Sequence, residues 1–205
     1  MAATKKPTKL QYLVRLAVLV AILILLEVTG LGMIRTAGLE FTILQIPVVI
    51  GAIILGVRAG AILGGVFGLI SLWECFGKSA FGAMLLSISP VGTVVTCLVP
   101  RILMGVLCAL IFMLLIHFGS KIVPFVVASL CGALLNTIFF MSCLVWFFYR
   151  TDYIQGFVQV LEAKSPFAFV LGFVGIQGAL EAVICTVAGA AISKALYSVL
   201  NRKKQ

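Results

Sequence analysis

The stretch IPVVIGAIILGVRAGAILGGVFGLISLW (residues 46–73) carries a single charged side chain, Arg58. Two apolar runs flank the tight turn Gly56-Val57-Arg58-Ala59-Gly60, so the stretch reads as a helical hairpin. Its first arm is short, with Pro47 in the opening turns where a missing N–H is tolerated. Along the second arm Gly56, Gly60, Gly64 and Gly68 recur every four residues and offer one groove for close approach by a neighbouring helix. A helix pair this poor in charge belongs inside a core or a bilayer.

The rest of the chain decides between the two. Of 205 residues, 63% are hydrophobic and 10% charged, with mean hydropathy +1.27, against about 45–50% and about 25% in soluble domains. That leaves too little polar surface to coat a soluble particle, and it excludes a soluble enzyme, a disordered chain and a nucleic-acid-binding domain. The expected class is a multi-pass protein of the plasma membrane, one domain over residues 1–205. A span needs about 20 apolar residues, and helices are predicted over 11–34, 43–56, 59–76, 93–117, 122–149 and 167–198, an all-α bundle of six transmembrane helices. The N-terminal lysines and apolar run resemble a signal peptide. The run is long, lacks an A-x-A-like cleavage site and is followed by further spans, so it reads as the first retained one.

The three longer connections, 35–42, 77–92 and 150–166, fall on one side of such a bundle. On the other side lie Lys5, Lys6, Lys9, Arg15, Arg58, Lys121, Lys194, Arg202, Lys203 and Lys204, with no acid. The long-loop side has Arg35, Lys78, Arg150 and Lys164, diluted by Glu40, Glu74, Asp152 and Glu162. Ten cations against four place both termini in the cytoplasm by the positive-inside rule. The net charge of +9 is thus topological. Elaborate outer loops over a bare inner face suit a protein that captures something outside.

No catalytic residue, metal or cofactor is expected. The chain has no G-x-x-x-x-G-K-[ST] loop, no G-x-G-x-x-G opening a helix, no G-x-S-x-G and no H-E-x-x-H. Cysteines 75, 97, 108, 131, 143 and 185 form no C-x-x-C pair, and His117 is the sole histidine, so a metal site would lack ligands. The cysteines read as small packing residues.

Three ionisable residues fall inside the membrane core of the predicted spans, Glu27, Arg101 and Glu181, and each costs about 2.5–3.5 kcal/mol at the bilayer centre unless it is paired or faces a polar cavity. Two readings stay open: an ion pair of Arg101 with Glu27 or Glu181, or a pocket in which Arg101 takes a carboxylate on its planar fork. Gln177 and Glu181 share one face of the last helix. Asn136 lies mid-way along the fifth helix, Gln45 opens the second, and Trp73 adjoins an outer loop. Singly these read as interhelical contacts or interfacial anchors; together, at similar depth, they outline a ligand site. Ala17 and Ala21 form a small-xxx-small pair on the first helix.

With these features in place, the chain resembles the S components, the substrate-binding membrane subunits of energy-coupling factor (ECF) vitamin transporters. The resemblance rests on six spans, the A-x-x-x-A pattern at Ala17 and Ala21, residues 46–73, VPRILMG (99–105), NTIFFM (136–141) and GIQGALEAVICTVAGAAISKAL (175–196). It is closest to the pantothenate type. The resemblance implies a vitamin bound in the outer half of the bundle, and partnership with a membrane coupling subunit and two cytosolic ATPases. It also implies a coupling-subunit contact at Ala17 and Ala21. For pantothenate, Arg101 would meet the carboxylate while Asn136, Gln45 and Gln177 meet the hydroxyls and amide. The alternatives are an S component for riboflavin, folate or a pyridoxal-type vitamin, and a self-sufficient carrier coupled to an ion gradient through Glu27 or Glu181.

Overall fold

The computed structural model of the chain describes residues 8–36, 39–118 and 120–202. Of the charges counted above, Lys5, Lys6, Lys203 and Lys204 lie outside the described residues. Helix α1 (Lys9–Val28) starts at the N-cap Thr8, whose side chain and that of Gln11 close a capping box. It stops well short of residue 34. Thr29 caps it, Gly30 turns into the left-handed region (φ 73°), and Gly32 N–H reaches back to the Leu26 carbonyl at 2.8 Å. The apolar run Leu31–Ile34, which reads as more helix, instead leads into an antiparallel hairpin, β1 (Met33–Thr36) and β2 (Leu39–Thr42), with Met33 opposite Thr42.

Helix α2 (Gln45–Leu55) is buried at every residue from Gln45 to Ile53. Eleven residues extend about 16 Å at 1.5 Å each, half the bilayer's apolar thickness. Protein on all sides shields its ends, packed against α1, α3, α5, α6 and α8. Gly56, at φ 86°, makes the turn into α3 (Val57–Glu74). No side chain of the described residues would touch a Cβ there, so Gly56 serves the turn. The groove belongs to its successors: a methyl on Gly60 would overlap the Gly105 carbonyl, one on Gly64 the Arg101 carbonyl, and one on Gly68 would lie 2.9 Å from Leu98 Cα. This antiparallel seam joins α3 to α5 (Pro90–Leu115).

Two connections expected as loops are partly helical. Ser79 caps α4 (Ala80–Ile88) through the Gly82 N–H, and Thr151 caps α7 (Asp152–Val160) through the Ile154 N–H. Nine residues are too few for apolar periodicity to stand out in sequence. α5 begins at Pro90, behind the N-cap Ser89, and ends in a 3-10 turn (Ile116–Phe118). α6 (Val123–Phe148) and α8 (Pro166–Arg202) complete the bundle. Glu74, counted with the loop charges, closes α3 as a buried residue.

The fold is therefore helical apart from one hairpin. Among the described residues five helices are long and apolar enough to cross a membrane: Lys9–Val28, Val57–Glu74, Pro90–Phe118, Val123–Phe148 and Gln177–Leu200. The long connections gather at one end. There Lys78 pairs with Glu27 at 2.7 Å, and Phe81 of α4 stacks with Tyr153 and Phe157 of α7 and Phe173 of α8. At the opposite end Phe112, Phe125 and Tyr197 bring α5, α6 and α8 together.

Candidate functional site

Beside the glycine seam, α5 carries a single charged side chain, the buried Arg101. Gly64 lets α3 approach until the Arg101 carbonyl and Ile102 Cα are in contact with it, which fixes where the arginine leaves α5. Its side chain folds back along the helix, and Nη1 donates to the Thr96 carbonyl at 2.8 Å. The guanidinium carbon lies 4.6 Å from the centroid of the Phe140 ring and 5.4 Å from that of Phe67. Two aromatic faces from α6 and α3 thus hold the cation, an attraction that strengthens out of water.

Neither stacking nor one carbonyl neutralises a charge. Arg101 is only 8% exposed, and its Nε has no hydrogen-bond partner. Among the described residues no carboxylate stands within salt-bridge distance of it. Glu27 belongs to Lys78. Glu181 accepts the Thr42 N–H at 2.8 Å and a hydrogen bond from the Gln177 side chain, so it ties β2 to α8. Its charge reaches Arg101 only through space. The ion pair that sequence left open, Arg101 with Glu27 or Glu181, is not formed.

Further buried polar atoms are without partners, among them Thr96 Oγ1, Ser71 Oγ, Asn136 Oδ1 and Gln45 Oε1, on residues no more than 6% exposed. Ser71 is one turn from Phe67 on α3, and Asn136 one turn from Phe140 on α6, so each shares a face with a ring that flanks the guanidinium. Gln45 follows three residues after Thr42, at the start of α2. An unsatisfied buried polar group costs about 1–3 kcal/mol. Ser71, Asn136 and Thr96 each sit on the residue or within one turn of a group that touches the guanidinium, an arrangement that suits an anion which also brings hydroxyl or amide groups.

Of the residues singled out in sequence, Gln177 hydrogen-bonds Glu181, whose charge acts on Arg101 through space. Asn136 lies one turn from the Phe140 ring that flanks the arginine, and Gln45 opens the helix packed against α5, α6 and α8. Trp73 does not join them. At 65% exposed it points away from the bundle, as an interfacial anchor does. Ala17 and Ala21 also face outward, on the side of α1 away from its buried residues Leu16 and Leu23. Sequence alone did not point to Ser71, Thr96, Thr42 or the two flanking phenylalanines, since hydroxyls and rings are ordinary within spans. Among the described residues no three metal-ligating side chains cluster. All six cysteines carry free thiols, Cys75 at the end of α3 and Cys97 on the arginine's own helix lying 3.9 Å apart.

Comparison with known proteins gives a consistent result. A family model described as ECF transporter, substrate-specific component, matches residues 11–193. A protein named pantothenate transporter PanT, from Leuconostoc mesenteroides, is 26% identical over 170 residues, 80% of this chain and 79% of its own. Pantothenic acid transporter PanT from Lactococcus lactis is 27% identical over 209 residues, 96% of this chain and 98% of its own.

Proposed function

The chain belongs to the family of substrate-specific components of ECF transporters, and on that premise we propose that it captures pantothenate from outside the cell. One observation carries the reading. Arg101 is a buried cation with stacking partners, a backbone anchor and no carboxylate at contact. A buried charge without a counter-charge is costly, and a carboxylate ligand supplies what is missing. Pantothenate has one carboxylate, two hydroxyls and an amide. The first meets the Arg101 fork; the others meet Asn136, Gln45 and Gln177. The names of the two relatives support the same ligand.

The bundle crosses the membrane six times with both termini cytoplasmic, the short α2 completing its crossing inside protein. The charge asymmetry supports this orientation, and it puts the Arg101 group in the outer half. The chain then delivers its ligand by associating with a membrane coupling subunit and two cytosolic ATPases. The outward-facing small residues Ala17 and Ala21 are the contact for the coupling subunit, a surface where backbones approach closely.

Titration of the purified, ligand-stripped chain tests the reading. Pantothenate should bind tightly without ATP, and Arg101→Ala should abolish binding while the protein stays folded. Unchanged affinity in folded Arg101→Ala would remove the arginine from the site. Tight binding of a different vitamin instead would keep the component and replace its substrate.

A further inference from the structure

The proline beside the arginine has no role in the reading above. Pro100 lies inside α5, buried, with a full turn of helix on either side. In an α-helix the N–H at position 100 would bond to the carbonyl of Thr96; proline has no N–H, and its ring pushes that carbonyl aside. The Thr96 carbonyl is the one Arg101 Nη1 takes, at 2.8 Å. The break in the backbone ladder and the anchor of the guanidinium are thus the same atom. With Nη1 held there and the ring faces of Phe67 and Phe140 at 5.4 and 4.6 Å, the fork is left one orientation. In that orientation Nε remains without a protein partner.

We propose that Pro100 is a positioning residue for anion capture: by withholding its N–H it reserves the Thr96 carbonyl for Arg101 and presets the guanidinium to receive a carboxylate. The inference rests on Arg101 being the carboxylate-binding residue. Any residue with an N–H at position 100 lets the helix reclaim the Thr96 carbonyl. The arginine then loses its anchor and swings between rotamers, although nothing that touches the ligand has been deleted. Preorganisation is lost, and affinity with it.

A purely structural proline behaves differently, so two readouts separate the cases. Pro100→Ala and Pro100→Leu, the latter filling the volume of the lost ring, should keep or raise the thermal midpoint of the ligand-free protein, because a helix-interrupting proline is removed. Pantothenate affinity should fall at least about tenfold, the scale of one lost charge-assisted hydrogen bond. Binding of the neutral primary amide of pantothenate, read by competition, should change less than about threefold, since that analogue makes no use of the oriented charge. A parallel fall for both ligands, or no change for either, would overturn the positioning role. Arg101→Ala run alongside distinguishes the failures. If it too leaves pantothenate binding intact, the carboxylate role of Arg101 falls and this inference falls with it; if it abolishes binding while the Pro100 variants bind normally, only this inference is lost.

Discussion

Arg101 brings a permanent charge among rings, thiols and hydroxyls, with Glu181 acting on it only through space. Ser71 Oγ and Thr96 Oγ1 are buried without partners, in one turn's reach of groups that touch the guanidinium. A buried hydroxyl with no partner weakens the ligand-free fold, yet it is a donor for a bound anion. Ser71→Ala and Thr96→Val should therefore act with opposite signs on two measurements. Each should raise the thermal stability of the ligand-free protein, by up to about 1 kcal/mol, through removal of an unsatisfied group. Each should also weaken pantothenate binding roughly five- to thirtyfold, the value of one or two hydrogen-bond increments. Melting curves and titrations on the same preparations check both, and unchanged affinity would leave these hydroxyls outside the site.

At the scale of elements, α3 and α5 approach backbone to backbone because Gly60, Gly64 and Gly105 have no Cβ. The seam is more than packing, since Gly64 rests on the carbonyl of Arg101 itself. Gly64→Ala should destabilise the protein by about 1–3 kcal/mol through overpacking and lower ligand affinity by moving Arg101 away from Phe140. Gly65→Ala is the control. Its nearest neighbour would be Ile102 Cγ1 at 4.0 Å, so stability and binding should both stay near wild type. Helix α1 is a different case, with Leu16 and Leu23 its buried residues and most of its length turned outward. Leucine or tryptophan at Ala17 and Ala21 should leave pantothenate binding by the isolated chain unchanged and block uptake in cells containing the whole transporter. Loss of binding along with uptake would make the pair an internal contact instead.

The whole molecule is organised end to end. The loop end holds the hairpin, α4, α7 and the aromatic cluster around Phe81, closed by the Lys78–Glu27 pair and the Thr42–Glu181 hydrogen bond. The opposite end holds the tight Gly56 turn and residues 120–122 ahead of α6. If the loop end faces outward, Asp152→Cys in a cysteine-free background reacts with a membrane-impermeant maleimide on intact cells. Lys121→Cys then reacts only after lysis. The reverse pattern would invert the bundle and put the site near the cytoplasm.

Much of this was legible in the sequence because it depends on composition and local periodicity. Apolar length sets the helices, glycine spacing sets the seam, and an arginine in a span announces a partner or a pocket, since hydrocarbon offers neither water nor counter-charge. Short elements were not legible: the hairpin at 33–42 and the nine-residue helices α4 and α7 are set by a glycine turn and single caps within stretches too brief for a pattern. Nor was the choice of partners. Whether Arg101 would meet Glu27, Glu181 or neither depends on how three helices rotate about their axes. Only tertiary packing decided that, by giving Glu27 to Lys78 and Glu181 to the hairpin, and by leaving the guanidinium between two rings with its charge unmatched.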